Sequence, residues 1–507
     1  MISEKQYLEL CDACNRLLLL PESTLEMVAI PWLHVIREHP IVLEKYVSLF
    51  SSKSIIENIK ARFFNQLVWF RQVFRALRCD GEPWFGTDTL PKNLDVLIIS
   101  HMLNPSQYAE EDDFYFNSIP EGLRIKCRSV AIASISHYRG HRTYFNTKFK
   151  PTKIPRVFLS ETLNFKRELN FRKRLINESK RLRGLKRSRK IPLEENILNE
   201  ASIKVLGGAA QTNLRLYDQI TSLVRITNAK IIITLYEGHA YERIVFSAAR
   251  QINNGIQCLS YQHTGVFRLS NAIRNSLSQI YNPDLIITSG ISGKNELEKA
   301  EGLRNIPISV IGSDRGILLG LNNLDKVIEK NVVLVLPEGF LSECKILFEF
   351  SLLCALQMPE TDFVWRLHPS VSFVMLQRKF DLFAELPKNI ILSEMTLEED
   401  INRCQWSLYR GSTAIFKAVS RGLRPIYLKS TETMTIDPLY DMDLWRGIVL
   451  NVTEFKRLVG NGFGINHNEV EKNVNLTRLY CEQRFSAVNI DPIEEVLVNI
   501  YDNNLTR

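Results

Sequence analysis

The fold is decided by residues 231–245, which read IIITLYEGHAYERIV. The β-favouring residues at the start of this stretch run directly into Glu237-Gly238-His239, and a helical pattern follows at once. An apolar strand followed by a helix is typical of the βα units of an open α/β sheet. Ligands of such sheets bind outside the carboxyl ends of the strands, so a carboxylate, a glycine and a histidine at this point predict a site.

Short β-rich runs alternate with helical patterns over most of the chain, in two series. The first series comprises 94–100, 129–136, 156–160, 230–236, 256–262, 284–290 and 308–313, and the second comprises 332–339, 362–369, 389–394, 406–411 and 424–430. Strands that alternate with helices indicate βαβ units and a mostly parallel sheet. The sequence therefore predicts an α/β protein with two Rossmann-like domains.

A chain of 507 residues is too long for one hydrophobic core. The expected domains are a helical N-terminal extension over 1–90, a first Rossmann-like domain over 91–315 and a second over 316–507, with an interdomain linker near 314–331. Two such domains are expected to face a large cleft, which is a favoured place for a small-molecule site.

Hydrophobic residues make up 45% of the chain and charged residues 24%, which are ordinary values for a soluble globular protein. No apolar run reaches the roughly 18 to 20 residues of a transmembrane helix, and the N-terminal sequence lacks the pattern of a signal peptide. Nine cysteines without a disulfide framework fit a reducing compartment. We therefore expect a cytoplasmic protein, peripheral at the inner membrane if its basic segment binds lipid.

That basic segment is residues 166–190, which contain twelve Lys or Arg and two Glu and account for the net charge of +8. Such a segment binds nucleic acid, an anionic membrane or a phosphate-bearing acceptor, or it forms an ordinary solvated helix. Phe171, Leu175 and Leu182 interrupt the charges at roughly helical spacing, which favours an amphipathic element on an anionic membrane surface. Nucleic acid is not expected as a partner, because no aromatic stacking platform accompanies the basic residues.

Three further stretches, SYQHTGVF, WRLHPS and LYRGSTAIFK, combine polar residues with the end of a predicted strand. The residues concerned are Gln262 and His263, then Arg366, His368 and Pro369, then Arg410, Gly411, Ser412 and Thr413. The last two stretches predict an anion site, because Ser412 or Thr413 is a good N-cap and a helix N-terminus attracts phosphate. Arg366, His368 and Arg410 would supply further donors to the same oxygens.

These residues resemble the motifs of GT-B glycosyltransferases, which are built from two Rossmann-like domains. His368-Pro369 with Ser412-Thr413 is similar to the HP and Ser/Thr motifs of bacterial sialyl-, polysialyl- and Kdo (ketodeoxyoctonate) transferases, whose histidine and hydroxyls hold the phosphate of a CMP-sugar. Glu237-Gly238 is similar to the end of their acidic-acidic-Gly motif, which supplies the general base. Tyr236 stands where a second acidic residue is often found, which leaves the donor open. A looser resemblance links the chain to surface-carbohydrate biosynthesis proteins with an EGH and QH pair.

The resemblance implies a metal-independent glycosyltransferase of surface polysaccharide biosynthesis, for example of lipopolysaccharide or capsule. The second domain would bind a nucleotide sugar, and the first would bind a glycan or lipid-linked glycan acceptor, with no cofactor. Glu237 would be the base, and His239 and His263 would orient the acceptor unless one of them is itself the base. Gly238 would allow a close approach of the acceptor to the backbone, and Gln262 would lie beside it.

Other interpretations stay open at this point. Glu237 could instead cap or salt-bridge the following helix, and the protein could be a teichoic-acid-type polyol-phosphate transferase or a catalytically silent scaffold. No metal site is expected, because the Cys11-x-x-Cys14 pair has no second pair and the DxD at 441–443 follows a loop signal. The absence of Walker A, GxSxG and GxGxxG sequences argues against an NTPase, an α/β hydrolase and a dehydrogenase.

Overall fold

The computed structural model describes residues 2–50, 55–79, 81–86, 89–103, 107, 110–137, 152–314, 331–443, 445–460 and 467–505. Within these ranges the chain divides into two compact units. The first comprises Met1–His263, Ser270–Asp314 and Ala487–Arg507, and the second comprises Thr264–Leu269 and Arg315–Ser486. The predicted linker near 314–331 lies almost entirely outside the described residues.

The first unit is built on a sheet with eight strands in the described residues. They are β1 Trp84–Phe85, β2 Val96–Met102, β3 Val130–Ser136, β4 Arg156–Leu159, β5 Ile231–Leu235, β6 Gln257–Gln262, β7 Leu285–Thr288 and β8 Ile308–Val310. Their spatial order is β1-β4-β3-β2-β5-β6-β7-β8, and every pair is parallel except β1 with β4. The direction of winding therefore reverses between β2 and β5, which is the switch point of the sheet.

Helices of the first unit cover both faces of this sheet. They are α1 Glu4–Leu18, α2 Leu25–Val28, α3 Pro40–Leu43, α4 Ile55–Ala76, α5 Ile119–Ile125, α6 Phe165–Lys186, α7 Pro192–Lys204, α8 Gly208–Thr227, α9 Ala240–Ile252 and α10 Ile291–Glu298, with 3₁₀ turns at Pro31–Leu33, Glu44–Leu49, Ala272–Arg274, Gln279–Tyr281 and Glu301–Leu303. Ile232 joins one core cluster with Val245 and Phe246, whereas Ile231 and Ile233 join the cluster on the opposite face. A strand buried on both faces reads as a continuous apolar run, which explains the stretch quoted first.

The second unit is built on a sheet with six strands in the described residues. Its elements are β9 Val332–Leu336, α11 Leu341–Gln357, β10 Asp362–Trp365, α12 Phe373–Lys379, a 3₁₀ turn at Asp381–Phe383, β11 Ile390–Leu392, α13 Leu397–Arg403, β12 Trp406–Tyr409, α14 Ile415–Ser420, β13 Arg424–Leu428, β14 Gly447–Val449, α15 Val452–Gly460 and α16 His467–Arg484. The sheet is parallel throughout, in the order β11-β10-β9-β12-β13-β14. This is the Rossmann order 3-2-1-4-5-6, with its switch point between β9 and β12. The prediction of two parallel α/β sheets is confirmed.

The units differ from the predicted domains at both ends of the chain. The last helix, α17 Asp491–Leu505, was predicted to lie in the second domain but belongs to the first unit, because Ile493 and Leu497 are buried against its sheet. The predicted separate extension over 1–90 also belongs to the first unit. There the Asn213 amide donates to the carbonyl of Ala29 at 2.9 Å.

The basic segment forms α6 but not the predicted amphipathic surface. Phe171, Leu175 and Leu182 are buried in the first unit, at 4%, 0% and 0% exposure. Arg172 donates to the carbonyl of Leu206 at 2.7 Å, Arg174 pairs with Glu26 and Arg181 pairs with Glu178. The interpretation of these apolar side chains as a membrane-facing surface is therefore wrong, since they anchor the helix to its own unit.

Candidate functional site

The predicted site residues of the first unit lie at its switch point. Glu237 follows β5, and His101 occupies the penultimate position of the neighbouring β2. The carboxyl ends of these two parallel strands meet at the same edge of the sheet, so their polar residues are brought together.

The turn between β5 and α9 is organised by Glu242. Its buried carboxylate accepts the backbone N–H groups of Glu237 at 2.9 Å, Gly238 at 2.8 Å and His239 at 3.0 Å. Burial raises the pKa of Glu242 to about 7. Gly238 has φ +85°, and a Cβ there would lie 2.3 Å from the carbonyl carbon of Ala272, so only glycine fits. Glu242 thus performs the capping role considered for Glu237, whose side chain is used elsewhere.

The Glu237 carboxylate pairs with the His239 ring, at 3.2 Å between Oε2 and Nε2. Both side chains are partly exposed, at 39% and 38%, so the pair is accessible to a ligand. Burial opposes the ionisation of Glu237, but the hydrogen bond and charge of His239, with a smaller contribution from His263, hold its pKa below the usual range. Burial also disfavours protonated His239, yet its bond to Glu237 and the charge of Glu242 raise its pKa.

Rings of histidine and tyrosine surround this pair. His101 Nδ1 and His137 Nε2 are 2.8 Å apart, and the ring centroids of His101 and Tyr241 are 4.8 Å apart. Tyr241 stacks on His239 with a centroid distance of 5.6 Å. We call His101, His137, His239 and His263 the histidine cluster; Tyr115 joins it through an edge contact with His263 at 5.0 Å.

Two members of the histidine cluster are neutral near pH 7. Burial and neighbouring histidines lower the pKa of His101 to about 3, and burial lowers the pKa of His137. Within the described residues no group of His, Cys, Asp or Glu has the arrangement of a metal site. The cluster therefore offers uncharged hydrogen-bond partners and ring faces beside one ionised carboxylate.

The sequence prediction missed His101, His137, Tyr115 and Tyr241. A signal for the two histidines existed, because His101 stands near the end of a predicted strand and His137 directly follows another. No periodicity marks Tyr115 or Tyr241, which come from a loop and from α9.

His263 and Gln262 lie at the end of β6 but are differently placed from Glu237. His263 is only 5% exposed and reaches the cluster through its contact with Tyr115. Gln262 is 1% exposed, and its Oε1 lies 2.5 Å from the position of a Cβ on Gly293 in α10. The structure therefore packs the Gln262 side chain against α10, and its predicted place beside the acceptor stays a prediction.

At the switch point of the second unit, a glutamate and a glycine meet. Glu338 follows β9, is 8% exposed, and its Oε1 lies 1.9 Å from the position of a Cβ on Gly411. Gly411 follows β12, so its lack of a side chain makes room for the carboxylate of the neighbouring strand end. The sequence prediction included Gly411 but missed Glu338, although Glu338 lies near the end of the predicted strand 332–339.

The predicted role of Arg410 in binding the donor is wrong, because its side chain is buried and not available to a ligand. The side chain is 3% exposed; Nε donates to Glu343 at 2.8 Å and Nη1 donates to the carbonyl of Leu428 at 3.1 Å. A buried arginine persists where a carboxylate neutralises it, and Glu343 on α11 provides that partner.

Arg366 is also engaged within the unit. Its Nη1 donates to the carbonyl of Met395 at 2.6 Å and to the fully buried carboxylate of Asp400 at 2.9 Å. The Arg366 side chain retains 28% exposure, while its charge is compensated by Asp400.

His368 and Pro369 are exposed at the end of β10. The Ser370 hydroxyl lies 2.8 Å from His368 Nδ1 and 3.2 Å from the carbonyl oxygen of Gly339, and its single proton serves one of the two at a time. Desolvation lowers the pKa of His368 against the opposing charge of Glu338, so the ring is neutral near pH 7. It lies close to Gly339, where a Cβ would be 2.8 Å from Nδ1.

Ser412 and Thr413 lie in the loop after β12, but neither caps the following helix. α14 begins at Ile415 with Ala414 at the N-cap and no side-chain cap bond. The prediction of a Ser or Thr cap is therefore wrong. Ser412 is 8% exposed, whereas Thr413 is exposed, and both follow Gly411 at the switch point.

The DxD residues considered for metal binding lie outside both switch points. Asp441 accepts from the Tyr480 hydroxyl at 2.6 Å and pairs with Arg484. These partners anchor α16 to the loop before β14.

No family model matches the chain, and no curated protein matches it. Solved structures with similar folds include a glycosyltransferase from Rickettsia africae, at 13% identity and a TM-score of 0.46 over 80% of this chain and 97% of that one. Acinetobacter baumannii MurG aligns at 11% identity and 0.44 over 81% and 100%, and Methanocaldococcus jannaschii UDP-GlcNAc 2-epimerase at 12% and 0.43 over 75% and 98%. At identities and scores this low, these similarities assign no family.

Proposed function

We propose that the protein is a glycosyltransferase, which activates an acceptor at the switch point of the first unit and binds a nucleotide-sugar donor at that of the second. The observation that carries this proposal is the Glu237–His239 pair, 3.2 Å apart and partly exposed at the end of β5. An ionised carboxylate held by a histidine, among ring faces and neutral donors, suits a sugar hydroxyl that must lose a proton.

In the proposed reaction the acceptor oxygen forms a bond to the anomeric carbon of the donor. The bond from that carbon to the phosphate oxygen breaks, and the nucleotide leaves with the electron pair. Glu237 takes the acceptor proton, and His239 holds the carboxylate in place. Tyr115 and Tyr241 supply ring faces on which a sugar packs, because aromatic surfaces bury the apolar face of the pyranose.

On the donor side, His368, Ser412 and Thr413 are the proposed phosphate contacts, with the exposed edge of Arg366. The resemblance of His368-Pro369 and Ser412-Thr413 to the CMP-sugar motifs makes a CMP-activated ulosonic acid the first donor to test. It also favours a surface polysaccharide as the acceptor. These contacts are mostly uncharged, so specificity would come from the number and direction of hydrogen bonds.

The test is to incubate the full chain with CMP-, UDP- and GDP-sugars and to measure donor hydrolysis and thermal stabilisation. A bound donor raises the melting temperature as its concentration exceeds the dissociation constant. A parallel reaction with CDP-glycerol distinguishes the polyol-phosphate transferase. Glu237→Gln is the matched control, since it should be stabilised by the donor but should not turn it over. No response to any nucleotide would contradict the proposal.

A further inference from the structure

An apolar stripe lies on the outer face of α4. Its members are strongly exposed: Phe64 at 63%, Leu67 at 44%, Phe70 at 56%, Phe74 at 63% and Leu77, just after the helix, at 63%. They recur at spacings of three and four residues, so they share one face of the helix. Soluble proteins rarely expose a contiguous apolar surface of this kind unless it contacts a partner or a membrane.

The opposite face of α4 is anchored to the first unit. The Asn65 amide donates to the carbonyl of Ile203 at 3.1 Å, and the Arg172 guanidinium lies 5.5 Å from the centre of the Trp69 ring. Val68 contacts Gly208, where a Cβ would be 3.2 Å from Val68 Cγ1. The apolar stripe is therefore the outward surface of a docked helix.

Charge identifies the partner that fits this stripe. Residues 55–79 contain five Lys or Arg and a single acidic residue, Glu57. Arg71 and Arg78 are exposed beside the stripe, and Arg75 lies 3.6 Å from Glu161. A second copy of the chain seated on the same face would bring like charges together, whereas an anionic surface complements them.

The neighbouring α6 adds exposed cations to the same unit. Lys166, Lys173 and Lys180, with Arg187 at the C-cap, are exposed and spaced by seven residues, so they follow one face of the helix. The buried Phe171, Leu175 and Leu182 hold that face in place. Aromatic and leucine side chains on one face, with basic residues beside them, characterise helices that lie in the plane of a bilayer surface.

We propose that α4 docks the protein on an anionic lipid bilayer, with the apolar stripe inserted at the level of the headgroups and the cations of α4 and α6 on the phosphates. Among the described residues no helix is both long and apolar enough to span a bilayer, so the contact lies on one leaflet. This surface is independent of the proposed sugar transfer and requires no nucleotide for its test.

The experiment is co-sedimentation of the full chain with vesicles of phosphatidylcholine alone and with added phosphatidylglycerol, at low and high salt. The wild type should pellet with the anionic vesicles, and binding should weaken as salt rises. Replacing Leu67, Phe70 and Phe74 by Ser should reduce partitioning at least about tenfold, since each removes inserted apolar surface. The changed side chains are exposed, so the melting temperature should stay close to that of the wild type.

The matched control replaces Leu353, Leu356 and Val374 by Ser, which are exposed apolar residues of α11 and α12 at 47%, 62% and 53%. It should pellet as the wild type does. Phe70→Trp should retain binding and gain fluorescence that brominated lipids quench. Arg71→Gln with Arg78→Gln should weaken binding and flatten its salt dependence.

Equal pelleting of the wild type and the Ser variant, or none by the wild type, would overturn the proposal. Sedimentation velocity without lipid gives the other decisive result. A wild-type dimer that the Ser variant converts to a monomer, with no vesicle binding, would show that the stripe covers a second copy.

Discussion

The two switch points of the molecule were predicted by the same rule, yet they differ in how their charges are used. In the first unit, the predicted Glu237 and His239 are partly exposed and paired with each other. In the second, Arg410 is buried against Glu343 and Arg366 is held by Asp400. A strand end thus carries polar residues that either stay partly exposed or fasten the surrounding helices.

The difference arises from the partners that the helices supply. Glu343 on α11 and Asp400 on α13 reach the arginines of the second unit and neutralise them. In the first unit, Glu242 on α9 turns to the backbone N–H groups of the turn and acts on His239 only through its charge. The Glu237 side chain is therefore left to pair with His239 and stays partly exposed.

The largest effect is expected from Glu237→Gln. The substitution keeps the shape but removes the base, so turnover should fall about 10²- to 10⁴-fold while the donor constant changes little. Steady-state kinetics with the donor found in the nucleotide-sugar screen provides the measurement. Full activity of Glu237→Gln would transfer the role of the base to His239 or His263.

The next largest effect is expected from breaking the buried ion pair of the second unit, which should lower the stability of that unit. Arg410→Met leaves Glu343 buried without its charge partner, so the free energy of unfolding of this unit should fall by about 3–5 kcal/mol. Chemical denaturation followed by circular dichroism would show the loss. Adding Glu343→Leu should recover part of it.

Arg366→Met is the matched control for that comparison. Asp400 would keep its ion pair with Arg403 at 2.7 Å and its bond from Ser393 at 2.5 Å, so the loss of stability should be clearly smaller. Equal destabilisation by the two arginine substitutions would mean that their different burial does not decide their roles.

The sequence predicted most strands of both sheets because they are short apolar runs set apart by helical patterns, but it missed β1 and β14, which have only two and three residues. It also predicted that Glu237 and His239 follow the end of a strand, since strand ends are readable from the chain; a ligand there stays a prediction. It could not predict that Arg410 forms a buried ion pair with Glu343, because Glu343 stands 67 positions away and nothing local links the two. His101 was missed although it directly follows the predicted strand 94–100, where the same rule applies.

Alanine substitutions at the glycines of the two strand ends should lower stability to different extents, and these effects should be smaller than the preceding ones. An alanine at Gly238 would meet the backbone of Ala272 at 2.3 Å and need φ +85°, so the unfolding free energy of the first unit should fall by about 1–3 kcal/mol. At Gly411 the obstacle is the end of the Glu338 side chain, which can turn aside. Gly411→Ala should therefore be less destabilising and should act mainly on donor binding. Thermal unfolding of both variants checks the order.

His368→Ala and Ser412→Ala should have still smaller effects, on binding alone. Each removes a proposed phosphate contact that exists in the ground state, so the apparent donor constant should rise by about tenfold or less with turnover nearly unchanged. Titration of the donor against each variant provides the measurement. Val374→Ala, at an exposed position of α12 without a proposed contact, should leave the donor constant unchanged.

The finest test of the first switch point is the shape of its pH profile. The pKa of Glu237 is held below the usual range, so its carboxylate stays ionised from pH 7 down to pH 5 and activity should not decline there on its account. The pKa of His239 is raised above its usual 6.5, so its positive charge is present below that value and is lost as pH rises. If the protonated ring holds Glu237 as the base, kcat/KM should fall on the basic side, and His239→Gln should abolish that limb. His101, with a pKa of about 3, adds no limb in this range. A kcat/KM that instead rises through pH 6.5 and above in the wild type but not in His239→Gln would show that neutral His239 takes the proton and that Glu237 only orients it. A rise that His239→Gln retains would belong to Glu242, whose pKa is about 7.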